Sequence, residues 1–194
     1  WADVGNWGAL WELSDRDGFG NAHDGEVIAV ETANCLARTD GPTVLALSRQ
    51  NLAVPQRPAT FDASMLRRGG YVVREATGKD AITLIATGSE VGVAVDAAER
   101  LATSGVAVRV VSMPAPQLFL QQDAAWRDKV LPPGGRRASF EAGITDYWRR
   151  FVGETGLCIG IDRYGESAPA EDLAKHFGFT AEAVARKVEE WAAR

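Results

Sequence analysis

The sequence predicts an α/β fold of three layers (α/β/α), in which helices cover both faces of a mostly parallel sheet of about five strands. Short β-branched apolar runs alternate with amphipathic helical stretches along the chain. Glycines and prolines separate these stretches at regular intervals after Pro42, and residues 81–111 form a complete strand, turn, helix and strand. The chain has 194 residues, enough for one such domain and a partial α/β segment ahead of it.

Three regions differ in where glycine and proline occur and in the spacing of their apolar residues. Residues 1–28 interleave tryptophan and glycine without a helical or strand period, which predicts irregular structure. Residues 43–48 form a buried-strand candidate, and Pro55 and Pro58 then open a polar connector. The predicted divisions are residues 1–54 for the partial α/β segment, 55–68 for a linker and 69–194 for a complete domain.

The elements of the complete domain follow from the period of its apolar residues. The predicted strands are residues 71–74 at an edge, then 81–86, 106–111, 138–141 and 157–161. The predicted helices are residues 88–104, a connector between Pro114 and Pro133, 147–152, 170–177 and a last helix capped by Thr180. Thr87 and Glu90 have the spacing of a capping box, so we expect Thr87 to cap the first helix. That helix and its flanking strands form a βαβ unit with a right-handed crossover.

Composition excludes several classes of function. The net charge of −5 and the pI of about 5.1 provide no basic field for nucleic acid or anionic lipid. We find no apolar run of membrane-spanning length and no signal peptide. Cys35 and Cys158 lack the spacing of a zinc site or a disulfide framework, so we expect a reduced, cytoplasmic setting. Because the first residue is Trp1, we also expect catalytic parts upstream to be out of view.

Two stretches are candidates for binding an anion. The apolar run at 43–48 ends at Arg49 and places a guanidinium at the carboxyl end of a strand. Its planar fork matches phosphate or carboxylate oxygens, although an ordinary solvated arginine is the alternative. The turn Thr87-Gly88-Ser89 offers free backbone N–H groups at a helix start. It lacks a dinucleotide fingerprint or a phosphate loop, which favours a plain capping turn.

Five further candidates have ordinary structural explanations. Glu141 and Asp162-Arg163 follow strands, where open α/β sheets place ligand groups, but ion pairing or capping is favoured. His176 lies near a helix end and favours a surface role. His23-Asp24 has no nucleophile at hand, and Cys158 is interpreted as an inert buried thiol.

Five segments carry a family resemblance when they are taken together. They are DGPTVLALSRQNL at 40–52, GGYV at 69–72, IATGSEV at 85–91, VRVVSMP at 108–114 and GIDRYGESAP at 160–169. In order and spacing they resemble the carboxyl-terminal part of transketolase, from about Ala29 to the end. The resemblance implies a transferase that moves two-carbon ketol units between phosphorylated sugars, of the pentose phosphate type. It also implies thiamine diphosphate, a divalent cation (Mg or Ca) and a homodimer with active sites between its subunits.

The resemblance also assigns roles to regions and residues. Residues 1–54 would be the tail end of a pyrimidine-binding-type α/β domain, and 69–194 the carboxyl-terminal domain. Arg49 takes the place of the family's arginine that holds the substrate phosphate, and His23 that of a phosphate-binding histidine, although most of its expected neighbours are missing. The segments that bind the diphosphate and metal and activate the cofactor are absent.

This chain is therefore expected to contribute no catalytic, cofactor or metal residue, to bind no cofactor by itself and to be inactive alone. Its partners would be the remainder of the subunit, a second subunit and sugar phosphates. Two alternatives stay open. One is a free-standing α/β module that binds an anion or nucleotide at Thr87-Gly88-Ser89, and the other is a purely structural dimerisation domain.

Overall fold

The computed structural model describes residues 22–24, 36–38, 52, 56, 58, 59, 61–78 and 81–194. Two short strands come first: β1 (Ala22–Asp24) and β2 (Leu36–Arg38) pair in parallel, with His23 opposite Ala37. β1 falls inside the segment for which the sequence predicts irregular structure. Its strand conformation depends on pairing with a strand more than ten residues away. The spacing of apolar residues within the segment does not reveal such pairing.

The main sheet has five strands in the order β3-β5-β4-β6-β7. They are β3 (Tyr71–Arg74), β4 (Ile82–Ala86), β5 (Val108–Ser112), β6 (Arg137–Phe140) and β7 (Leu157–Ile159). The pairs β4–β5, β4–β6 and β6–β7 are parallel, while β3 runs antiparallel to β5 at one edge. The prediction of a mostly parallel sheet of about five strands is therefore confirmed.

Helices form the outer layers of the domain. They are α1 (Glu90–Thr103), α2 (Pro116–Leu120), α3 (Ala124–Val130), α4 (Arg149–Val152), α5 (Ala170–Phe177) and α6 (Ala181–Ala192), with 3₁₀ helices at Ala63–Arg68 and Asp146–Trp148. The chain moves from β4 to β5 in one direction and from β5 across β4 to β6 in the other, so right-handed crossovers place α1 and the α2–α3 connection on opposite faces. All five residues of β4 are buried, as expected for a strand that is covered on both faces.

The two faces have different cores. On one face α1 packs against α6, and Leu101, Val184 and Val188 are almost fully buried there. The α2–α4 side holds an aromatic cluster in which the ring of Phe151 lies 6.4 Å from that of Phe119 and 5.6 Å from that of Trp148. In the part of the chain that the structure describes, no helix is both long and apolar enough to cross a bilayer.

The start of α1 differs from the predicted capping box. α1 begins at Glu90, and Ser89 stands at the N-cap with helical backbone angles and no side-chain capping bond. The N–H of Glu90 instead donates to the carbonyl oxygen of Thr87 at 3.2 Å. The prediction was wrong because the helix starts later, with Ser89 at the N-cap, and the Glu90 carboxyl group accepts from its own backbone N–H and from the Ser89 hydroxyl. At α6 the predicted cap is confirmed, since Thr180 Oγ1 accepts from the N–H of Ala183.

The polypeptide enters the domain at the carboxyl edge of the parallel strands. Because β3 is antiparallel, its first residue, Tyr71, pairs with Ser112 at the end of β5. The 3₁₀ helix Ala63–Arg68 precedes it and contributes Leu66 to the core. The division of the chain into a linker at 55–68 and a domain from 69 stays a prediction.

Candidate functional site

At the carboxyl edge of the sheet the ends of β4 and β6 lie side by side, and we call the place between them the crevice. The chain leaves β4 toward β5 on one side and later returns to β6 on the other side, so the strand order reverses at this point. Open α/β sheets bind ligands at such a reversal. Ala86, the last residue of β4, pairs with Phe140, the last residue of β6, so the segments that follow both strands start side by side. This crevice is the place to look for a site in the described domain.

Two buried carboxyl groups line the crevice. Glu90 is the first residue of α1 and Glu141 directly follows β6, and each is only 8% exposed. Burial raises the pKa of Glu141 to about 8, and the nearby Glu90 carboxylate adds to the shift. Burial also raises the pKa of Glu90, against the opposing effect of its own backbone and of the Ser89 hydroxyl, which donates to Glu90 Oε2 at 3.1 Å. Glu141 therefore keeps its proton at neutral pH.

Glu141 also lacks the partner that a buried carboxyl group normally has. Among the described residues, its Oε2 atom is buried without a hydrogen-bond partner. No ion pair or capping bond of the Glu141 side chain is found among the described residues, and the interpretation by ion pairing or capping stays a prediction. Its backbone N–H continues the sheet by donating to the carbonyl oxygen of Ile159 at 3.1 Å.

The turn Thr87-Gly88-Ser89 stands beside these acids. The positive end of the α1 dipole is already next to the carboxyl group of Glu90, and Glu141 lies nearby. A phosphate bound at this turn would face two carboxyl groups, not the cationic side chains that usually hold a phosphate. The geometry thus disfavours an anion or nucleotide site and agrees with a plain turn.

Asp162 and Arg163 follow β7 and have structural partners. Both carboxylate oxygens of Asp162 accept from Thr145, one from its N–H and one from its hydroxyl, each at 2.8 Å. These bonds hold the pKa of Asp162 below its usual value. Arg163 donates to Glu166 Oε1 at 2.8 Å and lies over the ring of Phe177. The interpretation by capping and ion pairing is confirmed for this dipeptide.

The remaining candidates do not converge on the crevice. His176 is in the last turn of α5, where its Nε2 atom lies 2.7 Å from an Arg163 nitrogen and 3.2 Å from Glu166 Oε1 on the surface. Cys158 is a partly buried free thiol in β7. Arg49 lies outside the described residues, and for His23 only the strand position in β1 is described. The two substrate-binding assignments stay predictions.

Reasoning from the sequence missed the carboxyl pair. Glu90 and Glu141 are 51 positions apart, and each was considered alone. The sequence did contain one signal: Glu141 comes directly after a predicted buried strand, and Glu90 comes one short turn after another. Their proximity depends on β4 and β6 being neighbours, which is a property of strand order that local patterns do not contain.

Together, the fold and the crevice define a doubly wound α/β domain with one antiparallel edge strand and an acid-lined reversal point. The described residues contain no group of three His, Cys, Asp or Glu placed to hold a metal. Residues 69–180 match the family model of the transketolase-like TK C-terminal domain. The chain therefore belongs to the transketolase family and carries its carboxyl-terminal domain.

Known relatives agree with this assignment. The chain is 55% identical over 157 residues to the plasmid-encoded transketolase of Cupriavidus necator, which covers 81% of this chain and 23% of that protein. It is 50% identical over 154 residues to transketolase 1 of Escherichia coli, covering 79% and 23%. The transketolase of Leishmania mexicana superposes with a TM-score of 0.67 at 36% identity, covering 82% of this chain and 22% of that one. The chain thus spans about a quarter of the length of these relatives.

Proposed function

We propose that the chain is the carboxyl-terminal part of a transketolase subunit. The parent enzyme is a transferase that moves two-carbon ketol units between phosphorylated sugars, as in the pentose phosphate pathway. The observation that carries this proposal is the match of residues 69–180 to the family's carboxyl-terminal domain, supported by 50–55% identity to the C. necator and E. coli transketolases. The acid-lined crevice argues against the alternative of a free-standing nucleotide-binding module.

The parent enzyme would use thiamine diphosphate and a divalent cation, Mg or Ca. The cofactor supplies the carbanion chemistry of the transfer. The described residues do not fit this group, because Glu90 and Glu141 at the ends of the strands are carboxylic acids and not the Lys or Arg side chains that bind a diphosphate. We assign the cofactor and metal to other parts of the parent enzyme, so the 194-residue chain alone is inactive.

Within that enzyme, the chain has a supporting role and one substrate contact. Its partners are the rest of the subunit and a second subunit in a homodimer, and the enzyme acts in the cytoplasm. Arg49 holds the phosphate of the sugar, with His23 as a second contact. Phosphate is common to the different sugar substrates, so holding it positions the reacting carbonyl while the chain length varies.

The complete subunit and the 194-residue chain should therefore be assayed side by side. With thiamine diphosphate and Mg, the complete subunit should transfer a two-carbon unit from a ketose phosphate to an aldose phosphate, and the chain should not. A complete subunit that is folded, loaded with cofactor and still without transfer activity would overturn the proposal.

Replacing Arg49 by alanine in the complete subunit tests the substrate contact. Loss of a charge-assisted hydrogen bond costs about 1.5–3 kcal/mol, so KM for phosphorylated sugars should rise by about one to two orders of magnitude while kcat changes little. Arg49→Lys should lie in between, because an ammonium keeps the charge without the bidentate fork. With an acceptor aldehyde that has no phosphate, the KM of that acceptor should be equal in all three proteins. An unchanged KM with a collapsed kcat would contradict the anchor role.

A further inference from the structure

Buried polar atoms without a partner are concentrated at one strand of the domain. Among the residues that the structure describes, four side-chain atoms are buried with no hydrogen-bond partner: Arg137 Nε, Ser139 Oγ, Glu141 Oε2 and Tyr147 Oη. Three of them are in or directly after β6, and Tyr147 is in the 3₁₀ helix that follows. Folded proteins leave few such atoms without a partner, and an ordered water molecule commonly serves where no protein group is in reach.

Ser139, Glu141 and Tyr147 lie on the same side of the sheet. Side chains alternate along a strand, so Arg137, Ser139 and Glu141 share one face of β6, and the backbone N–H of Glu141 continues the sheet pairing. Arg137 donates to the carbonyl oxygen of Phe151 at 3.0 Å, which identifies this face as the one that α4 covers. The ring of Tyr147 lies 6.1 Å from that of Phe151, on the same side. We call Ser139, Glu141 and Tyr147 the polar cluster.

The spacing along β6 separates the polar cluster from Arg137. The terminal nitrogens of Arg137 donate to three backbone carbonyl oxygens at 2.8–3.0 Å, which fixes its guanidinium at the amino end of the strand. Residues two apart on a strand, such as Ser139 and Glu141, are about 6.6 Å apart along its axis. A water molecule with hydrogen bonds of about 2.8 Å bridges atoms up to about 5.5 Å apart. One water molecule on this face can therefore reach both side chains.

We propose that the polar cluster is a binding site for one buried water molecule, which bridges Ser139 Oγ, Glu141 Oε2 and Tyr147 Oη. Three polar partners are typical of an internal water. The two hydroxyl groups both donate and accept, and the proton that Glu141 keeps at neutral pH gives its carboxyl group a donor as well. Ser139 is only 1% exposed and Glu141 8%, so the site is closed to bulk solvent. The bound water is thus the partner of a buried, neutral carboxyl group.

Substitutions that remove one hydroxyl group at a time test the site by the sign of their effect. Ser139→Ala and Tyr147→Phe keep most of the packing and leave the water with one partner fewer, so each should lower the Tm of the 194-residue chain by about 2–6 °C. If these hydroxyl groups had no partner at all, the same substitutions would remove an unsatisfied buried group and raise Tm. Ser167→Ala and Tyr164→Phe, at exposed positions, are the matched controls and should leave Tm unchanged. A raised or unchanged Tm for either buried substitution would overturn the proposal.

The double variant tests whether a single water molecule joins these groups. Ser139→Ala combined with Tyr147→Phe should lower Tm by less than the sum of the two single shifts, because residues that share a partner are coupled. Additive shifts would show that the two hydroxyl groups have separate partners and would refute the shared site.

Oxygen-17 relaxation dispersion of the solvent provides a second measurement, which on the unmodified chain does not depend on how a variant folds. It counts the water molecules that stay bound for longer than the protein takes to tumble. The unmodified chain should hold at least one such molecule, and the double variant should hold one fewer. No long-lived water in the unmodified chain, or equal counts in a folded double variant, would contradict the proposal.

Discussion

Replacing Glu141 by glutamine should remove a loss of stability that this chain undergoes as the pH rises from about 4.5 to 8. The folded protein releases the Glu141 proton near pH 8, whereas an unfolded chain releases it near pH 4.5. Below pH 4.5 Glu141 is protonated in both the folded and the unfolded state and does not lower the free energy of unfolding. Between these values the folded state binds a proton that the unfolded state has lost, so stability falls as the pH rises. The difference between the two pKa values lowers the free energy of unfolding by up to about 1 kcal/mol at pH 5 and by about 3 kcal/mol at pH 7.

Glutamine has nearly the same shape and no charge to lose. It should remove the whole pH-dependent cost and add about 1–2 kcal/mol for amide hydrogens without partners in the crevice. The Glu141→Gln variant should therefore be about 1–2 kcal/mol more stable than the unmodified chain at pH 7, and equal or less stable at pH 5. In a chain of this size, that gain raises Tm by about 3–6 °C at pH 7.

The measurement is thermal unfolding of both proteins by circular dichroism between pH 5 and pH 8. Glu154→Gln is the matched control, because Glu154 is exposed in the turn after α4, and its Tm should follow that of the unmodified chain at every pH. Parallel Tm curves for Glu141→Gln and the unmodified chain across this range would refute the assignment of Glu141 as a buried neutral acid.

Two pairs of substitutions test the packing at the two edges of the sheet. The half-buried guanidinium of Arg137 donates to three backbone carbonyl oxygens at 2.8–3.0 Å, so Arg137→Met should cost about 2–4 kcal/mol in urea unfolding. Arg136→Met, at an exposed guanidinium that bonds the end of α6, should cost under about 1 kcal/mol, and equal losses would contradict this account. Gly160→Ala should destabilise the chain by about 1–3 kcal/mol, because its Cβ would clash with the carbonyl oxygen of Gly143. Gly92→Ala, in α1 with open space around it, should stabilise the chain by about 0.5–1 kcal/mol, and a Gly160→Ala protein with unchanged Tm would show that the two loops are not in contact.

Much of the fold could be predicted because its elements are encoded locally. The continuous apolar run of β4 and the β-branched run of β5 identify two buried strands, and Gly105, with a φ of +81°, marks the end of the helix between them. The Thr180 cap is likewise a matter of a few adjacent residues. The capping box at Thr87 failed because the helix begins at Glu90 with Ser89 at the N-cap, and the Glu90 carboxyl group bonds to Ser89.

The site could be predicted less well, since it depends on which strands are neighbours. Glu141 was noticed at a strand end, but its high pKa depends on burial beside Glu90, and that contact exists only when β6 lies next to β4. Arg49 was identified from a motif and a family resemblance, and it lies outside the described residues.

Calorimetric titration of thiamine diphosphate, with Mg present, tests the central claim most directly. The claim is that this chain is the carboxyl-terminal part of a transketolase and that the groups that bind the diphosphate lie elsewhere in the complete subunit. The account predicts no measurable heat of binding to the 194-residue chain and saturable binding to the complete subunit. Tight, stoichiometric binding by the chain alone would contradict it.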